Sequence, residues 1–545
     1  MQPNQQPRPA APAGQPAACA GRPQQPAALP PAPPRPIVSL DKKDGIFALV
    51  TLVLGYLFLR LISLFFAGAG ISLFTLCYLL VVLLYARRTG RGPARASWGW
   101  GGFLLLFSLL FLKGVPDALT LPALVFLCAL AAYWTLAVFG VRIGGRLDGN
   151  FAVDLFNALL RVPFSGFDLL PRAVAALLRQ TPGSGEKPKK KLLTPEVLLG
   201  GLLTLLLLPP VLLLLAQADE GFTRALRLLF GQIQISPDLF VWIVLSIPVS
   251  LYFFGLFAGG RYRLHLGPDP AQREKARQKR QPFGFAVAAI PTGALLVVYL
   301  LFLVAQLPYF FSAFAGLLPA GFTYAGYARR GFFELIFVAA INLGLLLFAK
   351  CCTQKSARGR KLLSALLCGA TLLLLVTAAR KLLLYIGMLG LTRLRIWAGW
   401  AMLLVAVTTL LFLLDEFHPL PLMRVVVLFF CGWFFLLCAV RTEPLTLRYN
   451  YTAWRAGEIE EFDLCQGEDV SAIPVLCEIL RDADEDWIRQ GCTERIWQGA
   501  ENLKLKQSRP LVGFTLEGMV AMQSADQAAA DGLMDWGFTE QTGTE

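Results

Sequence analysis

The sequence predicts an all-α fold: a polytopic membrane protein of about 11 (9 to 12) transmembrane helices, ending in a small helical soluble region. Three observations predict it. The 545 residues are 56% hydrophobic and only 16% charged, where soluble domains carry about a quarter charged residues. The apolar residues come in nearly uncharged blocks of about 17 to 23, the length that crosses about 30 Å of hydrocarbon at 1.5 Å per residue. Many of the basic residues gather in short loops between alternate blocks, as the positive-inside rule requires.

The elements follow in order. Residues 1–40 form an amino-terminal arm whose first 36 residues hold 12 prolines and no acidic residue. Such a composition cannot bury a core and predicts a disordered, partly polyproline-like segment. It is not a signal peptide, because its apolar stretch starts far too late, so the first span stays as an anchor. The membrane domain covers 41–440. Its candidate spans are 46–66, 71–86, 98–112, 119–140, 196–216, 238–258, 284–306, 331–349, 362–384, 396–414 and 419–440. Pro209 and Pro210 interrupt the fifth and predict a kink there, since two backbone donors are lost.

Between the fourth and fifth spans, residues 151–180 mix apolar positions with Asp154, Arg161, Asp168, Arg172 and Arg179 at helical spacing. They predict two or three short interfacial helices broken at Pro163 and Pro171, followed by a basic linker to 191. The segment 307–330 is rich in aromatic residues, Gly and Pro, which suits a re-entrant or interface-lying piece. Residues 441–545 form an acidic tail with helical periodicity near 443–457, 469–481 and 485–504, and a loosely ordered last thirty residues.

Charge sets the orientation and excludes a class of function. The net charge of +14 divides into 41 Lys and Arg against 16 Asp and Glu over 1–440, and 9 against 20 in the tail. The basic excess lies in loops around Arg87, Lys189, Arg277 and Lys355, which all fall on one side if every span crosses. That side is the cytoplasm, so the amino terminus is cytoplasmic and an odd span count puts the tail outside. Basic residues distributed in this way belong to the lipid bilayer as partner and speak against nucleic acid.

Few motifs carry chemistry. His265 and His418 are the only histidines, and no spacing of them or of the 11 cysteines makes a metal or haem site. No Walker loop, dinucleotide fingerprint, HExxH or GxSxG is present, so the sequence calls for no cofactor, no metal and no catalytic residue. Cys465, Cys477 and Cys492 in the tail are compatible with free thiols or with one disulfide and one leftover. The sequon at Asn450 is read as a chance match, and Asp415, Glu416 and His418 as a solvated hairpin turn.

The informative anomaly is basic charge on the outer side. Arg329, Arg330, Arg380, Lys381, Arg393 and Arg395 all break the orientation rule. On a helix over 331–349, Glu334 and Asn342 follow Arg330 at i+4 and i+12, and a carboxylate that deep needs a partner such as Arg330 or a base from 380–395. Two readings fit. Arg329, Arg330, Arg380, Arg393 and Arg395, with Glu334 and Asn342, form a ligand-binding site for an anionic group, which guanidinium forks bind bidentately. Alternatively, the same charges form an internal salt-bridge network that locks spans eight, nine and ten together.

The stretches TYAGYARRGFFEL (323–335) and RKLLLYIGMLGLTRLR (380–395), with RYNYTAWRAGE (448–458) opening the tail, resemble a family of polytopic bacterial membrane proteins catalogued as a domain of unknown function. The resemblance covers roughly 280–490. Gly326 stands where an acidic residue is usual, and Leu389 where a Tyr is usual. It implies a location in the bacterial cytoplasmic (inner) membrane and no assigned activity. The functional reading is a protein that binds or transports an anionic or lipid-like ligand. The alternative is an assembly or signalling component whose acidic tail meets a protein partner, with an intramembrane transferase third.

Overall fold

The computed structural model describes residues 38–90, 92–143, 147, 149–178, 204, 237–264, 283–314, 332–352, 357–464, 469–507 and 509–534. The chain divides into two units, 1–39 and 40–545, and every element below belongs to the second. Its helices are α1 (Lys42–Leu61), α2 (Ala69–Arg88), α3 (Arg95–Lys113), α4 (Asp117–Val138), α5 (Phe151–Phe156), α6 (Val162–Ser165), α7 (Leu169–Leu178), α8 (Pro237–Arg261) and α9 (Ala286–Phe314). There follow α10 (Phe332–Cys352), α11 (Ala357–Leu389), α12 (Arg393–Phe417), α13 (Leu422–Ala439), α14 (Thr442–Arg455), α15 (Ile473–Asp482), α16 (Asp486–Gln507), α17 (Pro510–Gly513) and α18 (Leu516–Ala530).

Among the described residues, 8 helices are long and apolar enough to cross a membrane: α1, α2, α4, α8, α9, α11, α12 and α13. The protein is an all-helical, polytopic membrane protein. The apolar part of α3, Ser97–Lys113, is shorter, and α10 is a helix of 21 residues. The fifth expected span lies outside the described residues apart from Thr204, as do the basic linker and the arm up to 37. Of the segment 307–330, residues 307–314 continue α9 as regular helix, and the rest lies outside the described residues.

The long apolar helices, together with α3 and α10, form two packed groups. In the first, α1–α4, α8 and α13 bury a core that includes Phe107, Phe111, Tyr133, Trp134 and Phe257. Phe434 of α13 stacks on Phe107 of α3, with centroids 6.0 Å apart and planes at 15°. Helices α1 and α8 run antiparallel, with Arg60 over the Trp242 ring at one end and Arg261 against Asp44 at the other. Asp44 is fully buried, yet its carboxylate accepts hydrogen bonds from Tyr85 (2.8 Å), Tyr262 (2.7 Å), Arg261 and the Asp41 backbone N–H (2.9 Å). A charge so enclosed persists only because each lone pair is engaged. In the second group, α9–α12 pack around Tyr299, Ala339, Leu367 and Leu374.

A tryptophan pair ties the groups together. Trp400 of α12 and Trp433 of α13 stack at 8°, and each indole N–H donates to the other's backbone carbonyl, at 3.0 and 3.1 Å. In lipid no water competes for these groups, so such bonds hold helices in register.

Short helices follow the fourth span. Helix α5 runs through a π turn at Asn157–Arg161 into α6, and α7 begins after Gly166–Asp168. The break therefore does not fall at either proline. Pro171 occupies the first turn of α7, where the missing N–H costs little, and Pro163 comes just after the π turn of a helix that continues through it to Ser165. The hairpin between α12 and α13 also departs from expectation. Asp415 and Glu416 are not solvated: their side chains are 10% and 8% exposed, paired with Lys350 and with Arg360 (3.3 Å).

The tail folds as a helical unit around Ile473, Leu476, Leu480, Ile488 and Ile496. Its last part is more ordered than the sequence predicts. Helix α18 packs on α15 through Gly518, Ala521, Ala525 and Ala528, a face too weakly apolar to register as a hydrophobic stripe. Cys477 and Cys492 are free and buried, and burial pushes their thiols up to about 11 and 12. The unit docks on the chain's own membrane helices. Lys506 pairs with Asp117 at 3.2 Å, Arg441 bridges Glu517 and the Gly114 carbonyl, and the Ala69 N–H donates to the Phe514 carbonyl at 2.9 Å. Gly68 permits this approach, because a Cβ there would stand 2.5 Å from the Phe514 oxygen.

Candidate functional site

Where the tail meets the membrane helices, a polar cavity of about 370 Å³ opens between Asp117, Arg393, Asp469, Arg495, Gln498 and Asn502. Each residue arrives by a simple local rule. Asp117 opens α4, where its carboxylate complements the positive end of the helix dipole. Asp469 caps the 3₁₀ turn Val470–Ala472 by accepting the Ser471 N–H at 3.1 Å. Arg495, Gln498 and Asn502 follow i, i+3, i+7 spacing and share one face of α16.

Arg393 is placed against the usual preference. It is the first residue of α12, at the positive end of the helix dipole, where a cation is disfavoured. Three groups compensate. Its guanidinium donates to the Glu443 carboxylate at 3.0 Å, it lies 5.5 Å from the Trp397 ring centroid, and Thr392 caps the helix by accepting the Arg395 N–H. Glu443 is almost buried, and burial pushes its carboxyl above the usual range; Asp469 adds to this and Arg393 opposes it. Burial likewise raises Asp469, reinforced by Asp117 and opposed by the Ser471 N–H, Arg441 and Lys506. The walls thus hold two guanidinium groups, the carboxyl of Asp469, held less acidic by burial, the carboxylate of Asp117, paired with Lys506, and two carboxamides. Such a set can grip an oxyanion while hydrogen-bonding the rest of a small polar molecule.

The residues singled out in the sequence are distributed over several places. Arg329 and Arg330 lie outside the described residues. Glu334 is exposed on α10, with buried Lys381 of α11 in electrostatic reach, a base from the 380–395 stretch. Asn342 is fully buried between helices: it accepts from the Tyr299 hydroxyl at 2.6 Å and donates to Thr371 Oγ1 at 2.9 Å. Arg380 is half-buried on α11. Arg395 donates to the carbonyls of Leu389 (2.9 Å) and Gly390 and lies 4.1 Å from the Tyr385 ring centroid, closing the end of α11. Of the seven, Arg393 lines the cavity. Asp117, Asp469, Arg495, Gln498 and Asn502 carry no sequence signal, being ordinary polar residues brought together only by docking of the tail.

A second cavity, about 520 Å³, lies inside the first helix group and is apolar, walled by Phe58, Phe74, Tyr78, Leu127, Tyr252 and Phe253. Its hydroxyls are already engaged: Tyr78 with Thr135 at 2.7 Å, and Tyr252 with the Leu159 carbonyl at 3.0 Å.

Two of the motif blocks that suggest a family, 380–395 and 448–458, meet in space. Gly390 adopts φ +75°, the left-handed conformation that ends α11, and the following Leu391 is held by Asn450 of the RYN block. No curated protein and no solved structure matches the chain. The family model described as a domain of unknown function, DUF4153, matches residues 101–479, which is well over half of the chain, and the protein belongs to that family.

Proposed function

We propose that the protein binds a small anionic solute or headgroup in the polar cavity between the membrane helices and the carboxy-terminal unit, with Arg393 and Arg495 as the anion-contacting residues. One observation carries the reading: two arginines from sequence-distant helices face a single polar space at the start of α12. An oxyanion there would meet guanidinium groups and the positive end of a helix dipole together. Phosphate and phosphorylated headgroups share this chemistry.

This reading keeps eleven crossings, with domain limits at 1–40, 41–440 and 441–545, and a cytoplasmic amino terminus. Helix order supports it. The start of α1 lies beside the end of α8 and beside α7, so Leu178 and Pro237 stand toward opposite ends of the bundle. The tail shares its side with the turns 62–68 and 114–116, opposite the basic Arg87 and Arg88. On this reading the cavity lies at the extracytoplasmic face.

The test uses full-length protein in detergent, titrated with inorganic phosphate and with glycerol 3-phosphate, and in vesicles with and without phosphatidylglycerol. Arg495→Gln and Arg393→Gln should each weaken binding by about ten- to a hundredfold, the loss of one charge-assisted contact of roughly 1.5–3 kcal/mol. Arg448→Gln, in the exposed pair with Glu478, should leave it unchanged. Phosphate saturating the site marks a free solute, and a response only to phosphatidylglycerol marks a headgroup. Absence of binding by every probe overturns the reading.

A further inference from the structure

The carboxy-terminal unit carries an apolar surface that the tail's own core does not use. Leu505, Leu511, Phe514, Leu516, Met519 and Val520 are all exposed, Leu511 by 73%. Leu516, Met519 and Val520 sit at i, i+3 and i+4 on α18, on the face opposite Gly518, Ala521 and Ala525, which pack inward. A soluble domain rarely displays so many large apolar side chains side by side.

Their position says what covers them. Helix α17 rests on the first turn of the transmembrane helix α2, where the Ala69 N–H donates to the Phe514 carbonyl and Gly70 packs against Val512. Arg509 lies 5.3 Å from the Phe66 ring centroid, and the adjoining turn presents Phe65, 84% exposed, and Leu64. The apolar surface is therefore continuous with the end of a membrane span, at the level where hydrocarbon gives way to headgroups. Lys504 and Arg509 border it, as basic side chains border segments that lie in an interface.

We infer that α17 and the first turns of α18 are a membrane-interface anchor, dipping into the lipid leaflet that surrounds the α1–α2 turn. The occupant is the lipid surface itself. The unit is then held from two sides, by ion pairs to the helix ends and by immersion of Leu511, Phe514 and Met519. The inference does not depend on the anion site.

The experiment reconstitutes the full chain in phosphatidylethanolamine–phosphatidylglycerol vesicles containing a phosphatidylcholine with a diazirine near the glycerol end of one acyl chain. After irradiation and digestion, mass spectrometry locates the lipid adducts. Adducts are expected on residues 505–520 and 64–65 as well as on the spans, and none on α15. The double variant Leu511→Glu, Met519→Glu should cut adducts on 505–520 at least about fivefold while the spans label as before, which also reports that the variant has inserted. Labelled spans with an unlabelled 505–520 overturn the inference, and so do cross-links from this stretch to a second protein chain in place of lipid.

Discussion

Asn450 of α14 and Leu391 of the α11–α12 turn form a closed pair of hydrogen bonds: the Leu391 N–H donates to Asn450 Oδ1 at 2.6 Å, and Asn450 Nδ2 donates to the Leu391 carbonyl at 2.8 Å. One carboxamide thus satisfies both backbone groups of a residue that neither helix can serve. The turn itself depends on Gly390, whose φ of +75° a side chain tolerates poorly and whose absent Cβ would stand 2.6 Å from Asn450 Oδ1. The carboxy-terminal unit is in this way fastened to the membrane hairpin whose next residues supply Arg393. It also makes Asn450, which is almost buried, a poor glycan acceptor.

Replacing Asn450 should therefore unfasten the unit. Asn450→Ala strands a backbone donor and acceptor and should cost about 2 kcal/mol or more. Asn450→Asp should do no better, since it sets a carboxylate against the Leu391 carbonyl. The expected readout is a lower Tm in detergent and faster proteolysis within 441–534, with the membrane helices still protected. Unchanged proteolysis of both variants would show that the pair does not hold the unit.

Much of this architecture is legible in the sequence, and the failures have physical causes. Hydrocarbon thickness imposes long apolar runs, so eight of the eleven expected spans coincide with described helices long and apolar enough to cross, and 98–112 and 331–349 coincide with the helices α3 and α10. Their ends do not: α11 runs from Ala357 to Leu389, beyond the apolar 362–384, because a helix continues past the hydrocarbon edge once Arg360 and Lys361 find partners or water. Arg393 is visible because, if every expected span crosses, it falls on the side opposite the basic loops. Asp117 and Arg495 are not, since each obeys its local rule and acquires meaning only when residues hundreds of positions apart come together.

Protonation of the docking surface gives a second prediction. Asp469 is held above its ordinary value of 3.8, so the folded protein binds its proton more tightly than the unfolded chain does. Its contribution to stability is then fully present below that value and is lost as pH rises through the raised one. Glu443 titrates in the same sense. Asp469→Asn keeps the cap on Ser471 and removes the titration. Its Tm should match wild type near pH 4 and exceed it progressively toward pH 7, with a residual slope left by Glu443. A constant difference across that range would contradict the assignment.

The pair Arg393–Glu443 decides between a ligand site and a lock. Glu443 has only 4% of its side chain exposed but Arg393 has 45%, so the ion pair is screened on one side and worth at most about 1 kcal/mol. Removing the arginine leaves a buried carboxyl whose affinity for a proton is already raised, which softens the cost further. As a lock the pair is weak; as a device that holds a guanidinium in place at the start of α12 it is well suited. Glu443→Gln keeps an oxygen acceptor while releasing the charge, so phosphate should bind as tightly as to wild type or a few-fold more tightly. Arg393→Gln should weaken phosphate at least about tenfold with Tm lowered by only a few degrees. If instead both variants leave phosphate binding untouched and lose stability together, with the double variant no worse than either, the pair is an internal brace and the anion belongs elsewhere.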